Sequence, residues 1–222
     1  MASRAGVEHG DRDAFLASAR GAGAPHSFRP VVPLPRVPLA IPARPVTDVI
    51  ERFAESVEAV AGNVRRLDAT TSLADVLAEV RAAEGIKTAT VSRDPECEGV
   101  AASLTALGVE VRAAAGASTA AAVDLGVTGA AYGIALTGSL VVAADRAGSR
   151  TVSLLPPVHV AIVRVGRLLA TADELFRHLP RRFPNGLPSN MVLITGPSRS
   201  ADIELQLTLG VHGPRSLWVV LV

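Results

Sequence analysis

The segment Ile194-Thr195-Gly196-Pro197-Ser198-Arg199-Ser200-Ala201-Asp202-Ile203-Glu204 gathers hydroxyls, a guanidinium and two carboxylates behind an apolar run. Met191–Thr195 reads as a strand and Ser200–Leu209 as a helix, with a Gly-Pro turn between them. A turn at the carboxyl end of a strand that opens a helix offers free N–H groups and partial positive charge to an anion. Gly196, Ser198, Arg199 and Ser200 are therefore candidate ligand-binding residues, with Arg199 as a forked clamp for a carboxylate or phosphate. Asp202 and Glu204 have two readings. They are first-turn acids that complement a helix dipole, or they are candidate acid–base groups.

Two further stretches could carry chemistry. In Gly126–Leu140, the glycines allow close backbone approach, and Thr137, Gly138 and Ser139 form either part of a ligand loop or a tight turn between buried strands. Neither the G-x-x-x-x-G-K-[ST] nor the G-x-G-x-x-G pattern is present, so no nucleotide site is indicated. Ser153-Leu154-Leu155-Pro156-Pro157-Val158-His159 and Gly210-Val211-His212-Gly213-Pro214-Arg215 each set a histidine beside backbone-restricting residues. His212 is the stronger candidate for an acid–base role. Its bland alternative is a loop histidine that caps carbonyls, and without H-x-x-E-H or H-x-H spacing no metal site is expected.

The elements that must position these groups alternate along the chain. Residues 1–22 read as a charged start and a short amphipathic helix. The prolines from Pro30 to Pro45 exclude a helix there and suggest a surface arm, so the division falls into an arm, 1–45, and one α/β domain, 46–222. The spacing of Val46, Ile50, Phe53, Val57 and Val60 predicts a helix over 47–61, ended by Asn63. A helix capped by Ser72, a strand at Lys87–Ser92, a helix at Pro95–Leu107 stopped by Gly108, and a strand at Val109–Ala113 follow. Beyond Ser118 come a short helix, a strand pair within Tyr132–Ala144, a strand at Val158–Val165, a helix at Thr171–Leu179 and a final strand, Leu217–Val222. Alternating helices and strands imply βαβ units and an open, mostly parallel sheet with helices on both faces.

Composition narrows the function classes. Hydrophobic residues are 49% of the chain but aromatic ones only 3%, which suits Ala/Val/Leu-filled α/β layers rather than a base-stacking surface. Lys and Arg, 22, nearly match Asp and Glu, 21, so no basic nucleic-acid footprint is present. The uncharged run Leu125–Ala144 is long enough for a bilayer, yet its four glycines fit a buried loop-and-strand unit better than a membrane span. The charged N-terminus lacks the apolar stretch of a signal peptide, and a cytoplasmic location is expected. A single cysteine, Cys97, cannot supply the several thiolates of an iron–sulfur cluster.

Together, Thr137-Gly138-Ser139-Leu140, Leu154-Leu155-Pro156-Pro157-Val158-His159, Gly196–Glu204 and Leu209-Gly210-Val211-His212-Gly213-Pro214 resemble the lactate-utilisation protein C (LutC/YkgG-type, LUD domain) family, over about Asp124–Val222. The resemblance implies a fold similar to the sugar-phosphate isomerase and CoA-transferase superfamily (NagB/RpiA/CoA transferase-like). It also implies a part in oxidising L-lactate to pyruvate beside iron–sulfur partner subunits, this chain having no cofactor of its own. In many members acids stand near the positions of Ala131 and Leu136. Both are apolar here, so the loop offers no counterpart to the carboxylate nucleophile of CoA transferases. Two alternatives stand beside this reading: an enzyme acting alone on a phosphorylated or CoA-linked metabolite, and a structural assembly module.

Overall fold

The computed structural model divides the chain into two units, Met1–Arg44 and Pro45–Val222. It describes residues 48–114, 116–144, 149–201, 207–210 and 212–222, and in the first unit only Ala17. Of the expected N-terminal helix only Ala17 is described, in helical conformation and exposed, and the proline-rich arm lies outside the described residues.

The larger unit is built on a six-stranded, wholly parallel sheet. Its strands are β1 (Asn63–Arg66), β2 (Thr88–Val91), β3 (Glu110–Arg112), β4 (Leu125–Gly129), β7 (Val158–Val163) and β12 (Ser216–Leu221), in the order β1-β12-β7-β4-β2-β3. The inner strands β4 and β7 are buried along their whole length, as strands covered on both faces must be. Their near-continuous apolar sequences follow from that burial. On one face Val158, Val160, Ile162, Trp218 and Val220 pack against helices α2 (Leu73–Glu84) and α3 (Val100–Ala106). On the other, Ala161, Val163, Leu217, Val219 and Leu221 meet Phe53 and Val57 of helix α1 (Val49–Ala59). Helices thus cover both faces of an α/β sheet.

A second sheet lies beyond α1's face of the first. It is formed by β5 (Tyr132–Ile134), β6 (Ser139–Ala144), β8 (Leu168–Leu169) and β9 (Asn190–Ile194), in the order β8-β5-β6-β9. Leu140 and Ile194 join the core shared with α1, while Tyr132, Ile134 and Val141 pack against Leu175 and Leu179 of helix α6 (Ala172–Arg182). The uncharged run Leu125–Ala144 therefore supplies three strands of two sheets. Among the described residues no helix is long and apolar enough to cross a membrane.

Local chemistry explains the element ends. Ser72 and Asp75 form a reciprocal capping box at the start of α2, and Gly85 closes it in the left-handed conformation. Asp48 accepts from the N–H groups of Ile50 and Glu51 at the start of α1. Two short helices, α4 (Ala117–Ala121) and α5 (Ser149–Leu154), lie among the remaining described residues.

Three expectations are corrected. Where a helix was expected at Ser200–Leu209, the described residues are strands: β10 (Arg199–Ala201) and β11 (Leu207–Leu209) pair antiparallel, Arg199 opposite Leu209. Ile203, Leu205, Leu207 and Leu209 alternate with Glu204, Gln206 and Thr208, which is a strand period. The helix expected over Pro95–Leu107 is a 3-10 turn, Pro95–Cys97, followed by α3, broken where Gly99 takes φ +79°. Asn63 does not end α1, which stops at Ala59 with Val60 as its cap. Asn63 begins β1, an edge strand whose polar residues concealed it.

Candidate functional site

The three sequence stretches meet at one place. β9 delivers Thr195–Ser198, α5 and the Pro156-Pro157 turn deliver His159 as the second residue of β7, and Gly210–Arg215 leads into β12. Backbone hydrogen bonds join them: Ser198 N donates to Pro214 O (2.8 Å), Gly210 N to Ser198 O (3.0 Å) and Arg215 N to Pro157 O (2.8 Å). Between them lies a cavity of about 230 Å³ bordered by Ser153, Leu154, His159, Val192–Ser198, His212, Gly213, Pro214 and Leu217. Its described wall holds apolar side chains (Leu154, Val192, Leu193, Ile194, Leu217 and two prolines), hydroxyls, imidazoles and backbone, and no Asp, Glu, Lys or Arg.

The location differs from the expected one. The Thr195–Ser198 turn does follow the carboxyl end of β9, but β9 belongs to the four-stranded sheet. His159 and Leu217 are register partners at the amino ends of β7 and β12, so the cavity sits over the amino edge of the six-stranded sheet. Nor does a helix open after Arg199, and a ligand here would meet hydroxyls and imidazoles rather than a helix dipole.

Thr137, Gly138 and Ser139 lie in and beside the turn between β5 and β6, adjoining the cavity. Ser139 Oγ is 2.7 Å from both Thr137 Oγ1 and Thr195 Oγ1, making a chain of three hydroxyls that ends on a cavity residue. Gly138 (φ +65°) and Gly196 (φ +81°) both press on the end of α1. A Cβ on Gly138 would lie 2.5 Å from the Ser56 carbonyl carbon, and one on Gly196 2.7 Å from Val60 O. The exposed Arg199 guanidinium donates to that same Val60 carbonyl at 2.7 Å. It thus caps the C-terminal end of α1 and is not among the residues bordering the cavity.

Of the candidate residues, Gly196, Ser198 and the exposed His212 border the cavity, and Thr137 and Ser139 connect to it through Thr195. Ser200 is the middle residue of β10. Asp202 and Glu204 lie outside the described residues.

His159, which sequence reasoning ranked below His212, is the most constrained polar group at the site. It is fully buried, Nε2 lies 2.9 Å from Thr128 Oγ1, and Nδ1 has no hydrogen-bond partner. Burial pushes its pKa down to about 3, so the ring is neutral. A lone histidine inside the apolar run Val158-His159-Val160-Ala161-Ile162-Val163 is the one signal that could have raised its rank. Cys97 is buried away from the cavity, and burial raises its thiol to about 12. Among the described residues no three His, Cys, Asp or Glu side chains gather as a metal centre would require.

Comparison with known proteins agrees with this architecture. Residues 50–222 match the family model described as LUD domain. Over 100 residues the chain is 40% identical to lactate utilization protein C of Halalkalibacterium halodurans, covering 44% of each chain. It is 37% identical over 100 residues to the like-named protein of Shouchella clausii, covering 45% of this chain and 44% of that one. An uncharacterized protein of Neisseria meningitidis is 38% identical over 100 residues, 45% of this chain and 42% of its own length. These matches span less than half the length of the curated relatives. Among solved structures, the fold is similar to that of a DUF162 family protein of Deinococcus radiodurans, with TM-score 0.59 and 21% identity over 78% of this chain and 96% of that one. With its family model matched from residue 50 to residue 222, the chain belongs to the LUD domain family.

Proposed function

We propose that this protein serves a lactate-utilisation system as a component without an iron–sulfur cluster, binding a small carboxylate anion in the cavity beside Ser198 and working with cluster-bearing partner subunits. The observation that carries the reading is convergence. Leu154 and His159, Thr195–Ser198 and His212–Pro214, far apart in sequence, border one cavity of about 230 Å³. The relatives named lactate utilization protein C supply the metabolic setting. One cysteine, buried as a neutral thiol, leaves any cluster to a partner.

A thermal-shift screen of the full chain against lactate, pyruvate, phosphate, sugar phosphates, CoA and nicotinamide cofactors tests the reading. At a ligand concentration of 100 Kd the folded state gains about 2.7 kcal/mol, enough to raise Tm by several degrees. Lactate or pyruvate is the expected hit, with the shift reduced in Ser198→Ala. No shift with any ligand, together with no co-purification of iron–sulfur proteins, would overturn it.

A further inference from the structure

The buried imidazole at the cavity wall has a tautomer that can be deduced by accounting for protons. Thr128 Oγ1 has one hydrogen-bond partner among the described residues, His159 Nε2. If the hydroxyl donates to a bare Nε2, both of those groups are satisfied and only Nδ1–H is left over. If instead Nε2–H donates to the hydroxyl, the Thr128 proton and the Nδ1 lone pair are both left over. Buried polar groups are costly to leave unmade, so the first arrangement wins by one group. His159 lies on the face of β7 opposite Val158 and Val160, toward Leu217 and the second sheet, which is the side the cavity occupies.

Resting on the reading that the cavity binds a small acid, we infer that His159 is held as its Nδ1–H tautomer and that this neutral N–H is a ligand-binding donor of the cavity. It selects an acceptor oxygen, a carboxylate or the 2-oxo group of a small oxo acid. The remainder of the wall agrees with that choice. Thr195 and Ser198 bring hydroxyls, no carboxylate competes for the donor, and none would balance an ammonium group on the ligand. The orphaned Nδ1 is the observation that points to a ligand oxygen. The hydroxyl chain Thr137–Ser139–Thr195 gives the same ligand a second donor, because each hydroxyl in the row can pass its proton forward toward the cavity.

Long-range ¹H–¹⁵N correlation spectra of the histidine rings, recorded at pH 7 on the labelled full chain with and without pyruvate, test this. His159→Asn identifies the resonances. Thr128→Val, which keeps the shape and removes the hydroxyl, identifies them again should the first variant fail to fold. The expected result is a protonated Nδ1 and a bare Nε2 for His159 in the free protein, a downfield move of the Nδ1 proton with pyruvate, and affinity about tenfold weaker in His159→Phe. An Nε2–H tautomer overturns the inference whatever binds. An Nδ1–H tautomer that ignores pyruvate while pyruvate still raises Tm overturns the ligand contact and leaves the proposed function standing. The same silence with no rise in Tm overturns both.

Discussion

His159 ties acid stability to the candidate site. Its folded pKa is lowered from 6.5 to about 3, so between those values the unfolded chain binds a proton that the folded chain refuses. The contribution is fully present above about pH 6.5 and is lost as pH falls toward 3. Between pH 7 and pH 5 this residue should remove about 2 kcal/mol of stability. Urea titrations at the two pH values check it: His159→Gln should show a pH dependence smaller by about that amount, and equal slopes for the two proteins would refute the assignment. Cys97 gives a second residue-scale expectation. A thiol near 12 that is 5% exposed should react with Ellman's reagent only as fast as the protein opens, and rapid labelling of the native chain would contradict that burial.

At the scale of elements, the C-terminal end of α1 is where two candidate loops are pinned. Arg199→Ala removes the donor to Val60 O and should cost about 0.5–1 kcal/mol, a figure suited to an exposed charge at a helix end. It should leave lactate or pyruvate binding in place, because the guanidinium is engaged away from the cavity wall. Loss of all ligand response in Arg199→Ala would instead restore the clamp role that the sequence suggested. Gly138→Ala should be worse for stability. It combines a left-handed φ with a Cβ driven into the Ser56–Val57 backbone, and about 2–5 kcal/mol is expected in thermal or urea unfolding. The hairpin β10–β11 shows why this region misleads at the level of local signals. Ser200 followed by Asp202 and Glu204 imitates a helix cap with first-turn acids, while the alternation from Ile203 to Leu209 gives a strand period. Pairing of Arg199 with Leu209 satisfies the backbone in the second way.

At the scale of the whole molecule, the last strand is a keystone. β12 pairs β1 on one side and β7 on the other, and its side chains enter the cores on both faces of the sheet. Deleting residues 216–222 should abolish the cooperative thermal transition followed by circular dichroism, since it uncovers both helical layers at once. A truncated chain that still melts sharply would show that the cores are independent. Legible from the residues alone were the α/β alternation, the inner strand β7 (apolar but for His159), the cap at Ser72, and the lack of thiols for a cluster. Each of these is set by short-range periodicity, one residue's backbone preference or plain composition. The tertiary structure alone decided that Arg199 reaches Val60, 139 residues away, and that His159 faces Thr128, 31 residues away. It also decided that the cavity opens at the amino edge of the parallel sheet, formed from three separate stretches. Such contacts depend on how strands register and layers stack across the fold, and no local pattern of side chains encodes that packing.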